Sequence, residues 1–365
     1  MKLECKIEDI KNAISQTERI TGKNLTLPVL NAILLVASGK SLKLRATNLS
    51  LGVEIEIPAK IEKEGVVAVS GSILAGIFSN VFQNENIYLE DSNGNLLIKT
   101  KKSQIKLKSQ QSDDFPTIPL VSGTVLEIEA KKFMDGIKSV YYSSAFSDIK
   151  PEISSVYIYS NEENLVFVST DSFRLAEKKI KVKNLKEISG ILIPFKNVPE
   201  ILRILGEFQG EIKICFNKNQ ISFSVDGIYL TSRVIDGVFP DYRQILPKEN
   251  KTEAVVLKQD LLNALKLSNI FSDKFNQVNL IIKPKEKIFE LSSQNNDVGE
   301  NKTFLDAAVS GEDVEVSFNY KYFLDCLQSV TTDSVSIKLN QSIKPMVINS
   351  VSDHSFTYLI MPMNR

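Results

Sequence analysis

Apolar and polar residues alternate at the start of the chain, at Leu3, Cys5 and Ile7, and then apolar positions shift to Ile10, Ala13, Ile14 and Thr17. The first spacing is that of a half-buried strand and the second that of one helix face. The same pair of patterns recurs at Val125–Glu129 followed by Phe133, Ile137 and Val140. It recurs again at Val255–Leu257 followed by Leu261, Leu262 and Leu265. Between these lies a second strand-then-helix theme. Val66–Ser70 leads to Ile73, Leu74, Ile77 and Phe78; Ile191–Pro194 leads to Val198, Ile201, Leu202 and Leu205; Val314–Phe318 leads to Tyr322, Phe323, Cys326 and Leu327. The remaining segments are short alternating runs broken by Asn, Gly, Asp and Ser, as at Asp91–Asn95, which predict antiparallel strands joined by turns.

These patterns keep a fixed period. The turn and strand at Ala46–Glu54 return at Ser169–Glu177 and Ser292–Glu300, a step of 123 from 47 to 170 to 293. Upstream, Leu34–Val36, Tyr157–Tyr159 and Leu280–Ile282 keep the step, as do Leu42, Leu165 and Ile288. Solenoid repeats run about 20–50 residues, so this is a domain-length copy. The expected fold is α+β, two helices over antiparallel strands in each copy, with copies at 1–122, 123–248 and 249–365. Proline-punctuated connectors, Asp114–Pro119 and Val238–Pro247, close the first two copies.

The 365 residues suit two or three domains, and the period chooses three. Hydrophobic content of 43% and charged content of 24% belong to an ordinary globular composition. No apolar run nears the roughly 20 residues that span a bilayer. The alternating, charged N-terminus reads as a strand and not as a signal peptide. Three scattered cysteines, Cys5, Cys215 and Cys326, point to reduced thiols and a cytoplasmic setting. Lys and Arg number 44 and so do Asp and Glu. Broad, tight DNA binding by charge alone is therefore disfavoured, while loose binding in a locally basic cavity stays open.

Catalytic chemistry finds little to stand on. His354, the single histidine, reads as an incidental residue rather than a general base. No His/Cys/Asp set has metal-ligand spacing. Gly71–Gly76 lacks the Lys-Ser/Thr of a phosphate loop and lies on a helical apolar pattern, which reads as packing. Neither an enzyme, a metal nor a cofactor is expected.

Three stretches carry a resemblance: Thr170–Leu175 (TDSFRL), Phe239–Pro247 (FPDYRQILP) and the terminal Tyr358–Arg365 (YLIMPMNR), with Leu27–Asn31 (LPVLN) as an early signature. The chain resembles, over its full length, the bacterial sliding clamp family, the beta subunit of DNA polymerase III. The resemblance implies a head-to-tail homodimer whose six domains close around double-stranded DNA without sequence preference. Helix widths agree with that stoichiometry. Six helices each about 10 Å wide leave a bore of about 9 Å, and twelve leave about 28 Å. Only the second admits a duplex roughly 20 Å across. Such a ring needs no strong attraction, so zero net charge fits it.

The resemblance also implies sites. A hydrophobic pocket for peptides of the polymerase III alpha subunit, the clamp loader and repair proteins would be lined by Ile153, Thr170, Ser172, Phe173, Arg174, Leu175, Pro240, Gln244, Ile245, Tyr322, Leu359, Met361, Pro362 and Met363. Phe173 and Gln244 depart from the family's glycine-plus-histidine and arginine, which implies more apolar peptide contact. Lys23, Lys150 and Lys196 stand where the family touches DNA. Ile105 and Leu107 would form one half of the dimer seam, opposite Leu267, Ile270 and Phe271. The rival readings are a monomeric three-domain peptide-binding scaffold that never encircles DNA, and an enzyme whose site is not evident.

Overall fold

The computed structural model describes residues 1–22, 27–80, 86–147, 149–183, 185–247, 249–341 and 343–363. Among these are six helices: α1 (Ile7–Glu18), α2 (Gly71–Ser79), α3 (Ala130–Lys138), α4 (Val198–Leu205), α5 (Lys258–Ile270) and α6 (Tyr320–Leu327). Five follow directly on a strand, as the switch from alternation to helical spacing predicts, and α4 follows its strand after the 3-10 turn Phe195–Asn197. In α1 the residues at that spacing, Ile10, Ala13, Ile14 and Thr17, are all buried. The Thr17 hydroxyl donates to the Ala13 carbonyl at 2.9 Å, so this polar residue is satisfied inside the core. Each buried Ile contributes about 1.5–3 kcal/mol, and Ile14→Asp would break the face by stranding a charge there.

Contacts group the chain into two compact units, Met1–Lys131 with Pro199–Val234, and Lys132–Val198 with Ile235–Arg365. The first unit holds a 13-stranded sheet and the second a 9-stranded and a 4-stranded sheet. The second copy therefore contributes half of its strands to each unit.

Each unit contains one junction between copies, and the two junctions match. In the first unit, strand Ile228–Arg233 pairs antiparallel with Leu51–Pro58, setting Leu230 opposite Val53. In the second, Phe356–Ile360 pairs with Arg174–Lys181, setting Tyr358 opposite Ala176. The helices beside them repeat the arrangement. The Arg203 guanidinium of α4 donates to the Gln16 carbonyl of α1 at 2.7 Å. One period on, the Ser329 hydroxyl donates to the Ser139 carbonyl at 2.9 Å.

The corresponding edges in copy three and copy one have no partner strand among the described residues. Strand Gly299–Phe304 ends the 4-stranded sheet, bonded among the described residues only to Ile288–Asn295. In copy one, Gln104–Gln110 meets Gly65–Ser70 through Ser109 and Gln110, so among the described residues the edge at Gln104–Lys108 has one side unpaired.

The glutamates 54, 177 and 300 do not share one structural position. Glu54 faces Arg45 and Glu177 faces Val168 across their hairpins, both on the side away from the helices. Counted from the inner-face pairs Ala46–Val53, Ser169–Ala176 and Ser293–Asn301, the residue at that place in copy three is Lys302, opposite Ser292. The hairpin turn of copy three lies further out, closing at Asn295 and Gly299, and this displaces Glu300 by two positions.

Candidate functional site

The turn at Thr170–Phe173 is built by its own side chains. Asp171 Oδ1 accepts from the Phe173 and Arg174 N–H groups at 2.9 and 3.0 Å, and the Thr170 hydroxyl donates to the Arg174 carbonyl at 2.6 Å. This Asx turn sets Ser172 at φ 77°, a left-handed conformation that Ser adopts at some cost. The result is that Phe173 projects into solvent with 62% of its surface exposed. Its carbonyl accepts from the Met361 N–H at 2.8 Å, which ties the C-terminal segment to the turn. Two residues on, the Met363 N–H donates to the Ser317 carbonyl.

Below the turn, Leu175 pairs with Leu359 across the junction, and both are buried. They belong to a core cluster with Tyr159, Val166, Val168, Leu192, Phe239, Tyr242 and Val347. Leu175 and Leu359 are thus sealed in this cluster, while Phe173, Ile245 and Met361 are exposed apolar groups. Thr170 is buried; Ser172, Pro240 and Gln244 are exposed; Arg174, Tyr322, Pro362 and Met363 are half-buried.

The 3-10 turn Tyr242–Ile245 has an anchor that was not foreseen from the sequence. The Tyr242 hydroxyl donates to the carboxylate of Glu177 and lies 2.7 Å from the Tyr159 hydroxyl. Glu177 is almost fully buried, and Lys179 pairs with it at 2.9 Å. Burial first, and the Glu177 charge second, hold the Tyr242 hydroxyl far above the usual phenol range. Arg243 donates to the Tyr159 hydroxyl at 2.9 Å. Next to the anchor, Phe239 stacks on Tyr157 at 4.8 Å. Pro240, Gln244 and Ile245 are thus carried by a pinned segment. Gln244 turns its amide to Asp241 at 2.8 Å.

Arg174 ties several elements together. Its guanidinium donates to Asp171 at 2.9 Å, to Asp325 of α6, and to the Tyr142 carbonyl at 2.7 Å, and it stacks 4.4 Å over the Tyr322 ring. It joins the turn in copy two to α6 in copy three. Ile153 is half-buried at the neck of the 145–154 loop and is not part of the core cluster beneath the turn.

The other expected residues fall as follows. Lys150 and Lys196 are exposed. Lys23 lies outside the described residues. Leu107 is buried and Ile105 half-buried on the Gln104–Gln110 strand, whereas Leu267 and Ile270 are exposed on α5. Phe271 reaches the open edge: a Cβ placed on Gly299 would meet its ring at 3.7 Å. His354 is exposed. Among the described residues no group of three His, Cys, Asp or Glu could hold a metal, and no helix is long and apolar enough to cross a membrane.

Three family models match consecutive stretches of the chain: the N-terminal domain of the DNA polymerase III beta subunit at residues 1–119, its central domain at 127–241 and its C-terminal domain at 243–364. The chain belongs to the DNA polymerase III beta subunit family. Among its relatives, the beta sliding clamp of Synechococcus elongatus is 26% identical over 373 residues, covering 100% of this chain and 99% of that one. The beta sliding clamp of Staphylococcus aureus is 25% identical, covering 96% of each. Two solved structures share the beta subunit fold with a TM-score of 0.95. The DNA polymerase III subunit beta of Pseudomonas aeruginosa is 24% identical with 100% of both chains covered. The DNA polymerase sliding clamp of Bacillus subtilis is 23% identical, covering 100% of this chain and 99% of that one.

Proposed function

We infer that this chain is a non-enzymatic DNA polymerase processivity factor: two copies close head to tail around duplex DNA, slide along it, and hold polymerase and other replication proteins by short peptides. The copies are taken as 1–122, 123–248 and 249–365, and the setting as the cytoplasm. The observation that carries the ring is the pair of matched junctions with a third left open. Val53 faces Leu230 and Ala176 faces Tyr358. In the hairpins of the second half-copies, Ile105, Leu230 and Tyr358 hold the same place, opposite Ile98, Phe223 and Ile348.

Continuing the series sets Asn301 of one chain opposite Ile105 of the next, and with it Glu300 opposite Lys106 and Lys302 opposite Gln104. On the helix side, Gln16 and Ser139 accept bonds at the two formed junctions, and Leu267 is their counterpart on α5. Leu267 and Ile270 would then bury against α2, where Ile73 is also exposed. The monomeric scaffold reading leaves these groups in water. Sedimentation mass tests the closure. A species of twice 40.8 kDa is expected, reduced to one chain by Leu267→Asp with Ile270→Asp. A wild type of single mass at micromolar concentration would overturn it.

The surface that exposes Phe173, Ile245 and Met361 is read as the peptide pocket, with Leu175 and Leu359 as its floor. Its apolar rim suits peptides with apolar anchors, and Met361 and Met363 can adapt to several of them. Lys150, Lys196 and Lys23 are read as loose phosphate contacts, screened by salt and water.

A further inference from the structure

An apolar hollow of about 210 Å³ is lined chiefly by Ala145, Phe146, Pro151, Pro194, Phe195 and Ile235. Phe146 is 83% exposed, and Ile149 on the same loop is 89% exposed. Large apolar groups presented together in water mark an interaction site. The loop that presents them is held shut at its neck. The Ala145 N–H donates to the Ile153 carbonyl at 2.9 Å, the Ser154 N–H to the Lys150 carbonyl at 3.2 Å, and the Ser154 hydroxyl to the Ser147 carbonyl. The Phe195 N–H donates to the Ser154 carbonyl at 2.9 Å, fixing the second aromatic to the first loop. Phe195 then meets Phe146 edge to face at 4.4 Å, leaving most of the Phe146 ring open. The platform is therefore organised before any ligand arrives, which lowers the ordering cost of binding.

Two lysines stand beside it. Lys150 is exposed on the loop, and Lys196, exposed, lines the hollow itself. Glu152 lies against Gly237 and is not part of the lining. An exposed aromatic ring with lysines on its own loop and in the adjoining hollow matches a base with its phosphates, since bases stack on aromatic rings while lysines take the backbone. A duplex cannot use such a platform, because its bases are already stacked and show only their edges. We propose that this hollow takes an unpaired base of a single DNA strand, stacked on Phe146, with its phosphates on Lys150 and Lys196. The proposal rests on the reading that these lysines face DNA.

The chain has no tryptophan, so Phe146→Trp in the full-length protein gives a unique reporter. An oligothymidylate should quench it, and a sugar-phosphate strand of the same length with abasic sites should not. By anisotropy, Phe146→Ala should weaken oligothymidylate binding at least about fivefold and leave duplex binding within about twofold. Lys150→Ala should weaken both. Equal quenching by the abasic strand overturns the stacking. So does loss of duplex binding on Lys150→Ala with no effect of Phe146→Ala on either DNA. If Lys150→Ala changes neither DNA, the lysine reading fails and takes the proposal with it. Quenching by an apolar clamp-binding peptide but not by the strand assigns the hollow to protein instead.

Discussion

Arg174 offers the sharpest test of how the pocket is held, because one guanidinium links the Asp171 turn to α6. Its side chain is 10% exposed, that of Asp171 15% and that of Asp325 35%. Burial alone would lower its basicity, yet Tyr358, Asp325 and Asp171 carry the net shift upward, so it stays charged at every accessible pH. The bond to Asp325 is partly solvated. Its coupling should therefore exceed the 0.2–1 kcal/mol or so of exposed pairs and fall short of the roughly 3–5 kcal/mol lost on breaking a buried one. A coupling of about 1–2 kcal/mol follows. Arg174→Ala alone should cost about 3 kcal/mol, since it also orphans the Tyr142 carbonyl and the second carboxylate. The assay is a double-mutant cycle of Arg174→Ala and Asp325→Ala by urea unfolding, fitted to the transition that includes the second unit. Peptide affinity should be read on the same proteins. Additive losses, with a coupling below about 0.3 kcal/mol, would refute the latch.

Tyr242→Phe removes the donor to buried Glu177 and should cost about 1.5–3 kcal/mol. It should also weaken peptide binding by isothermal titration while the sedimentation mass holds; unchanged affinity would mean Tyr242 does not set the pocket. At the proposed seam, Glu300→Lys or Lys106→Glu should each loosen the dimer, and the two together should restore it. A cross-strand pair of this kind is worth about 0.2–1 kcal/mol, read as a shift in dimer dissociation, and a double mutant weaker than either single would contradict the register. Burial pushes the Cys326 thiol well up and, with Asp9 and Glu4 nearby, raises that of Cys5 to about 12. Both raised thiols are protonated at pH 8, so there a disulfide reagent should titrate only the partly exposed Cys215 until the protein unfolds; rapid reaction of three thiols would contradict their burial.

Much of the architecture was legible because helical and alternating spacings do not imitate each other. Ile10, Ala13 and Ile14 could only make a helix face, and the step of 123 showed that the unit recurs. Exact register was not legible. The turn of copy three moved outward, and a glutamate at 300 preserved the spacing by accident while Lys302 took the structural place of Glu54 and Glu177. At the pocket, the apolar residues came from motif resemblance, which carries position and not burial. Leu175 and Phe173 look alike in the sequence, but the Asx turn at Asp171 sends one into the core and the other into water. The links from Arg174 to Asp325 and from Tyr242 to Glu177 span 151 and 65 residues. No local pattern announces bonds of that reach.

The central claim is topological, and retention on DNA tests it most directly. The protein would be loaded by a clamp loader onto a nicked circular duplex, freed of loader, and followed through gel filtration before and after the circle is cut once. A closed ring stays with the circle and is lost from the linear form, with little dependence on sequence. Equal retention on both forms would contradict encirclement, whatever the peptide pocket binds.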